Sequence, residues 1–201
     1  MKVEIFDHDK IRVYDPKTRY DLVVNTERCG CYKHVLFEVP DLGGPWVSKR
    51  TGERVGIITG RAIKEYRCFG RGFRLDVEKN YVEVGAGLGE LASLANKTTI
   101  IDPANYEVME SLLRVANKKI ALPVVDEKLR ELLRRCSLVL SGNVKLINSD
   151  LESALKASPG LIGGFDIIVD NFGFLNEKGD KIRLGMLKSL CKERGRLYVP
   201  K

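Results

Sequence analysis

Glu83-Val84-Gly85-Ala86-Gly87-Leu88-Gly89 places three glycines at alternate positions directly after a short apolar run, with a carboxylate two residues before the first. Glycines at 85 and 87 let the backbone turn sharply and come close to a ligand where any side chain would fill the space. Gly89 lets a following helix pack tightly on its strand. The free amides at the start of that helix then face the ligand as donors. Asp102 follows 17 positions after Gly85. A carboxylate ending a second strand at that distance can accept hydrogen bonds from both hydroxyls of a ribose. Each such charged bond is worth roughly 1.5–3 kcal/mol. A dinucleotide fingerprint, G-x-G-x-x-G, would need a small residue at position 90, which is Glu90. A carboxylate at the helix start would repel a pyrophosphate. The chemistry indicated is therefore the binding of a cationic or zwitterionic nucleoside rather than a diphosphate.

Such residues need a rigid frame, and the chain from Tyr81 onward supplies one. Strand patterns at Tyr81–Val84, Thr98–Ile101, Val144–Ile147, Phe165–Val169 and Arg196–Val199 alternate with helical ones at Leu88–Ala95, Tyr106–Asn117, Asp126–Leu140, Asp150–Ala157 and Lys181–Glu193. Met109, Leu112, Leu113 and Ala116 fall at i, i+3, i+4 and i+7, and Leu129, Leu132, Leu133 and Cys136 repeat that spacing. Alternation of this kind predicts an α/β fold, a Rossmann-like, doubly wound, mainly parallel sheet with helices on both faces. Ligands bind such sheets beyond the carboxyl ends of the strands, where strand order reverses. Gly85, Asp102, Asp150 and Asp170 stand at or just past those ends.

With these motifs in place, residues 81–199 resemble the class I S-adenosylmethionine-dependent methyltransferases. Tyr81–Glu90 resembles the family's first motif, and Ile101–Met109 its second. Asn148-Ser149-Asp150-Leu151 resembles the stretch after the third strand, Phe165–Leu175 the fourth-strand motif, and Gly195–Val199 the fifth strand. The resemblance implies S-adenosyl-L-methionine as cofactor. It sets Gly85, Ala86, Gly87 and Gly89 along the methionine end, with Glu83 near the amino group. Asp102 takes the ribose, Pro103 and Ala104 flank the adenine, and Asp150 and Leu151 hold its far edge. Asp170 lies beside the methyl donor, and Asp170 with Asn171 positions the acceptor. The implied reaction is direct displacement at the sulfonium methyl, which depends mainly on alignment and desolvation. Read from the residues alone, Asp150 equally suits the N-cap of the helix after it.

Two departures from the family pattern stand out. The family sheet has sixth and seventh strands after the fifth, and the sequence holds none after Val199. A hairpin of Asp21–Asn25 with His34–Val39, a dimer edge or a shortened sheet would have to serve instead. The fourth-strand motif, Asp170-Asn171-Phe172-Gly173, keeps an acid and an aromatic residue but lacks the prolines of enzymes that methylate bases or amides. A second reading is therefore a methyltransferase-fold protein without turnover, acting as a nucleic-acid-binding or interaction module. A nicotinamide dehydrogenase is a third.

Residues 1–79 read differently from 80–201, as a β-rich region for substrate recognition or sheet completion. Short strands at Lys2–Phe6, Ile11–Tyr14, Asp21–Asn25, His34–Val39 and Arg54–Thr59 are separated by turn signals, with a turn or two of helix at Ala62–Cys68. Lys49, Arg50, Arg54, Arg61, Lys64, Arg67, Arg71 and Arg74 face only Glu53 and Glu65 between Gly44 and Leu75, and they carry most of the net charge of +7. Trp46, Tyr66, Phe69 and Phe73 are interleaved with them. Basic side chains contact phosphates while aromatic ones stack on unpaired bases, so an anionic substrate such as RNA fits this segment; a solvated basic face fits it too.

The totals exclude other classes. With 44 % hydrophobic and 30 % charged residues the chain is globular, and at 201 residues folding buries roughly 70 % of the unfolded surface without disulfide support. No apolar run approaches the roughly 20 residues of a membrane helix, and acidic residues come too early for a signal peptide. Five cysteines are too few and odd in number for a secreted scaffold, so a cytoplasmic protein with reduced thiols is expected. Cys29, Cys31, His34 and Cys68 are conceivable zinc ligands in a tight Cys-x-Cys arrangement, but no metal site is assigned. Cys136 belongs to a helix core.

Overall fold

The computed structural model describes residues 1–7, 10–25, 35–42, 44, 46–60, 73–120, 123–171 and 177–199. The chain forms two compact units, each assembled from two stretches: Met1–Arg61 with Asn105–Leu140, and Ala62–Ala104 with Ser141–Lys201.

In the first unit, strands β1 (Lys2–Asp7), β2 (Lys10–Tyr14), β3 (Asp21–Asn25), β4 (Val35–Val39), β5 (Trp46–Val47) and β6 (Arg54–Thr59) form an antiparallel sheet in the order β1-β2-β3-β4-β6-β5. Period-two alternation sets its two faces. Val13, Leu22 and Phe37 are register partners across β2, β3 and β4, as are Val24 and Val35, and all five are buried. The adjoining residues Arg12, Asp21 and Glu38 lie on the opposite face. Arg12 Nε meets Asp21 Oδ2 at 3.0 Å, and Arg50 Nε donates to the same oxygen at 3.1 Å. Burial pushes Asp21 up to about 6 against these cations. Helices α1 (Tyr106–Lys119) and α2 (Pro123–Leu140) complete the unit. Asn105 caps α1 by accepting the Val108 N–H at 3.1 Å, and its own N–H donates to the Tyr20 hydroxyl at 2.9 Å. Met109, Leu112, Leu113 and Ala116 are fully buried as α1 packs against α2, β2 and β3. At Gly60, where Lys128 Nζ donates to the carbonyl at 2.9 Å, any Cβ would run into the Leu132 side chain. Cys136 is a core thiol, pushed up to about 12 by burial.

In the second unit, β7 (Tyr81–Val84), β8 (Thr98–Ile101), β9 (Lys145–Ile147), β10 (Phe165–Asp170) and β11 (Cys191–Tyr198) make a wholly parallel sheet in the order β11-β10-β7-β8-β9. Strand order in this sheet reverses between β7 and β10. Helices α3 (Leu151–Ala157) and α4 (Glu177–Ser189) cover one face, burying Leu151, Ala154 and Leu187 against Val82, Val84, Ile101 and Ile168. The other face carries Tyr81, Ile167 and Val169 under Phe73 and Leu91.

Several expectations need correction. The helix expected at Leu88–Ala95 is a 3₁₀ segment, Glu90–Lys97; the Gly89 N–H bonds Ala86 O three residues back, which starts the chain in the tighter coil. Helix α1, expected to flank the parallel sheet, packs instead against α2, β2 and β3 within the first unit. β3 and β4 pair with β2 and β6 and do not extend the parallel sheet, which ends in β11 among the described residues. β11 begins at Cys191, five positions before Arg196, because its register with β10 jumps from Phe165↔Cys191 to Ile167↔Arg196. Lys192, Glu193 and Arg194 occupy the resulting bulge, and Gly195 closes it where a Cβ would strike Asp166 and Phe165 backbone oxygens.

Candidate functional site

The carboxyl ends of β7, β8 and β10 bring together the residues singled out by spacing. Gly85 and Gly87 have φ of +64° and +52°, the left-handed region in which glycine carries no side-chain penalty. The Gly85 N–H donates to Ile101 O at 2.9 Å, tying the loop to the end of β8. Asp102 completes the tie. Its Oδ2 accepts the Gly87 N–H at 2.7 Å and its Oδ1 accepts the Ala104 N–H at 2.8 Å. It is buried, and desolvation holds its pKa above the ordinary carboxylate range despite the two amide bonds. The acid expected to reach a ribose is thus also the anchor of the glycine loop. Each carboxylate oxygen keeps a second acceptor direction for a ligand hydroxyl.

Glu83 and Asp170 occupy adjacent strands at the point where strand order reverses, and both are fully buried. Asn171 links the two strand ends: its N–H donates to Val84 O at 2.9 Å, and its Nδ2 donates to Glu83 Oε1 at 2.7 Å. Asp170 forms a bidentate pair with Arg183 of α4, with Nε to Oδ2 at 2.9 Å and Nη2 on Oδ1. Among the described residues, the buried carboxylates Glu83, Asp102 and Asp170 thus stand at the ends of β7, β8 and β10 beside the glycine loop, and Arg183 pairs with Asp170.

The other expected site residues differ in exposure and bonding. Asp150 is exposed and caps α3, accepting the Ser153 N–H at 2.9 Å and the Ser153 hydroxyl at 2.7 Å, bonds that lower its pKa. Leu151 lies in the sheet core. Pro103 is exposed, whereas Ala86, Gly89 and Ala104 are buried. Of the basic segment, Lys49, Arg54 and Arg74 are exposed, but Arg50 is taken up by Asp21 and by the Tyr14 ring, 3.3 Å from its Cζ. Arg61, Lys64, Arg67 and Arg71 lie outside the described residues, as do Cys29, Cys31, His34 and Cys68.

Two residues escaped the motif reading. Arg183 carries no spacing signal, because it reaches Asp170 from a separate helix. Asn148 donates through Nδ2 to Asp102 O at 2.9 Å and to Ala104 O at 2.8 Å, fixing the turn after β8 from the end of β9.

No family model matches the chain, and no curated protein matches it. Among solved structures, fibrillarin from Aeropyrum pernix in complex with natively bound S-adenosyl-L-methionine aligns at 13% identity and a TM-score of 0.39, covering 98% of this chain and 76% of that one. No helix among the described residues is long and apolar enough to cross a membrane.

Proposed function

We propose that the protein is an S-adenosyl-L-methionine-dependent methyltransferase acting on an anionic substrate, RNA in the first instance. The observation that carries this reading is the set of buried carboxylates Glu83, Asp102 and Asp170 around two left-handed glycines at a strand-order switch point. Such a site favours a ligand bearing a sulfonium and an ammonium, and it repels the diphosphate of a nicotinamide cofactor. The residues present fit the group in charge. Glu83 would meet its ammonium, Asp102 its ribose, and the backbone of residues 85–89 its methionine end. When bound, the group supplies an electrophilic methyl on sulfur. Asn171 is held by Glu83 at the strand end, where it orients an acceptor. Asp170, neutralised by Arg183, contributes shape and dipole rather than a free base.

That same ion pair supports the second reading, a binding module that keeps the fold without turnover. Calorimetry with S-adenosyl-L-methionine and its demethylated product, paired with transfer of a tritiated methyl group to fractionated RNA, protein and small molecules, separates the two. Saturable binding weakened in Glu83→Gln, with label in RNA, is the expected result. Binding without label favours the module, and absence of binding refutes the enzyme reading and its cofactor assignment.

A further inference from the structure

The antiparallel sheet of the first unit ends on two unequal edges. β5 has two residues and offers little to pair with, whereas β1 has six. Among the described residues no strand pairs with the outer side of β1. An open edge of that length presents a row of backbone donors and acceptors that a further strand can satisfy. The usable part is bounded. Lys2↔Tyr14, Val3↔Val13, Glu4↔Arg12 and Ile5↔Ile11 keep a regular register with β2, which then slips so that Asp7 stands opposite Lys10. Phe6 is the extra residue of this bulge, where regular pairing stops.

Side chains alternate along this run. Val3 lies on the face of its buried partner Val13, yet is 42 % exposed. Lys2 and Glu4 lie on the other face, are exposed, and form no ion pair among the described residues. A cation and an anion two positions apart can complement themselves across a two-fold axis. Two copies joined edge to edge about such an axis run antiparallel, and each residue meets one on the same face, so the axis passes through a residue of β1. With the axis at Val3, Lys2 of each copy stands opposite the second copy's Glu4, and Val3 meets Val3. With the axis at Lys2 or at Glu4, like charges stand directly opposite each other. With the axis at Ile5, the pairing runs into the bulge. Charge, apolar contact and bulge therefore select one register.

We infer that β1 is a homodimerisation edge, at which two copies of this chain pair antiparallel about Val3 and join their six-stranded sheets into one continuous sheet. The contact is isologous, so it closes at two copies, and β5 at the far edge is too short to extend it. An interface of a few residues per strand falls below the roughly 1,200 Å² of stable complexes, so the dimer exchanges readily, with a dissociation constant on the order of 100 µM.

Sedimentation velocity of the full chain from about 5 to about 500 µM should show a sedimentation coefficient that rises with concentration. The rise should shrink as salt is raised from about 0.05 to about 0.5 M, because the paired charges are exposed. Glu4→Lys and Lys2→Glu each turn two attractive cross-strand pairs into repulsive ones and should weaken self-association by about ten-fold or more. An equimolar mixture of these two variants should recover it, because every lysine then meets a glutamate. The double exchange Lys2→Glu with Glu4→Lys should associate like the parent. Recovery in the mixture also shows that both variants fold. A chain that stays monomeric at about 500 µM overturns the proposal and leaves the edge to a strand of another protein. So does a dimer that neither single change weakens, which would use another surface. Failure of both the mixture and the double exchange to recover association overturns the register about Val3 and the proposal with it.

Discussion

Asp102 joins three segments through one side chain, so its replacement has a calculable effect. Asp102→Ala leaves the Gly87 and Ala104 amides without their acceptor in a buried place. Each orphaned donor costs about 1–3 kcal/mol. Against that gross loss stands relief from burying a carboxylate whose pKa burial has already raised. The net expectation is a loss of about 2–4 kcal/mol. At a urea slope near 2 kcal/mol/M this moves the midpoint of the second unit by about 1–2 M. Asp102→Asn keeps one acceptor and turns an NH₂ toward the other amide, so it falls between the alanine variant and the parent. The pH dependence has a definite sign. A carboxyl whose folded pKa is raised stabilises the fold most when protonated and loses that contribution as pH rises above the ordinary carboxylate range. The penalty of Asp102→Ala is therefore larger near pH 4 than near pH 7. Urea denaturation followed by circular dichroism gives the midpoint. Hydrogen exchange at residues 87 and 104 gives the local opening, which Trp46 fluorescence, reporting on the other unit, would miss. A variant within about 0.5 kcal/mol of the parent, with unchanged protection at Gly87, would show that Asp102 does not hold the loop.

Arg183→Ala strands the Asp170 charge with no exposed surface and should cost about 3–5 kcal/mol in thermal denaturation, while the double replacement of Asp170 and Arg183 by leucine should cost less than the two single changes combined. Asn148→Asp turns two donated bonds into repulsion against the carbonyls of Asp102 and Ala104. It should weaken calorimetric binding of the demethylated cofactor product more than Asn148→Ala does, and equal affinities would contradict a positioning role. Glu131, held at about 2 chiefly by Arg134 and then Arg135, contributes stability above the unfolded carboxylate range and loses it as pH falls from about 4.5 to 2; with a third of the side chain in solvent the effect is about 1 kcal/mol, and Glu131→Gln should flatten the acid limb of a pH denaturation profile.

The sheet and its site were legible where the physics is local. Short runs rich in β-branched and aromatic residues between turn signals gave β2, β3, β7 and β8 nearly to the residue, because such side chains suit extended backbone whether one face or both is buried. The spacing of Gly85, Gly87 and Asp102 placed a loop and an acid in contact, because a strand-loop-strand path leaves them few alternatives. What the chain hid is what depends on partners. The apolar stripes of α1 and α2 show that each buries one face but not which sheet supplies the other side. Arg183 and Asn148 act across elements at separations no periodicity marks. Asp150 fitted both a ligand contact and a helix cap, and its bonds to Ser153 show the cap.

The division of each unit into two stretches bears on synthesis. The antiparallel strands emerge from the ribosome by residue 61, yet the helices that share their unit are not finished until residue 140. At rates of about 5–20 residues per second the newborn sheet waits on the order of ten seconds with its apolar side unshielded. A nascent chain arrested shortly before residue 105 should therefore recruit holding chaperones, and one arrested well past 140 should release them. By the same logic, cutting the gene between codons 79 and 80 would separate α1 from β2 and β3, the strands it packs on.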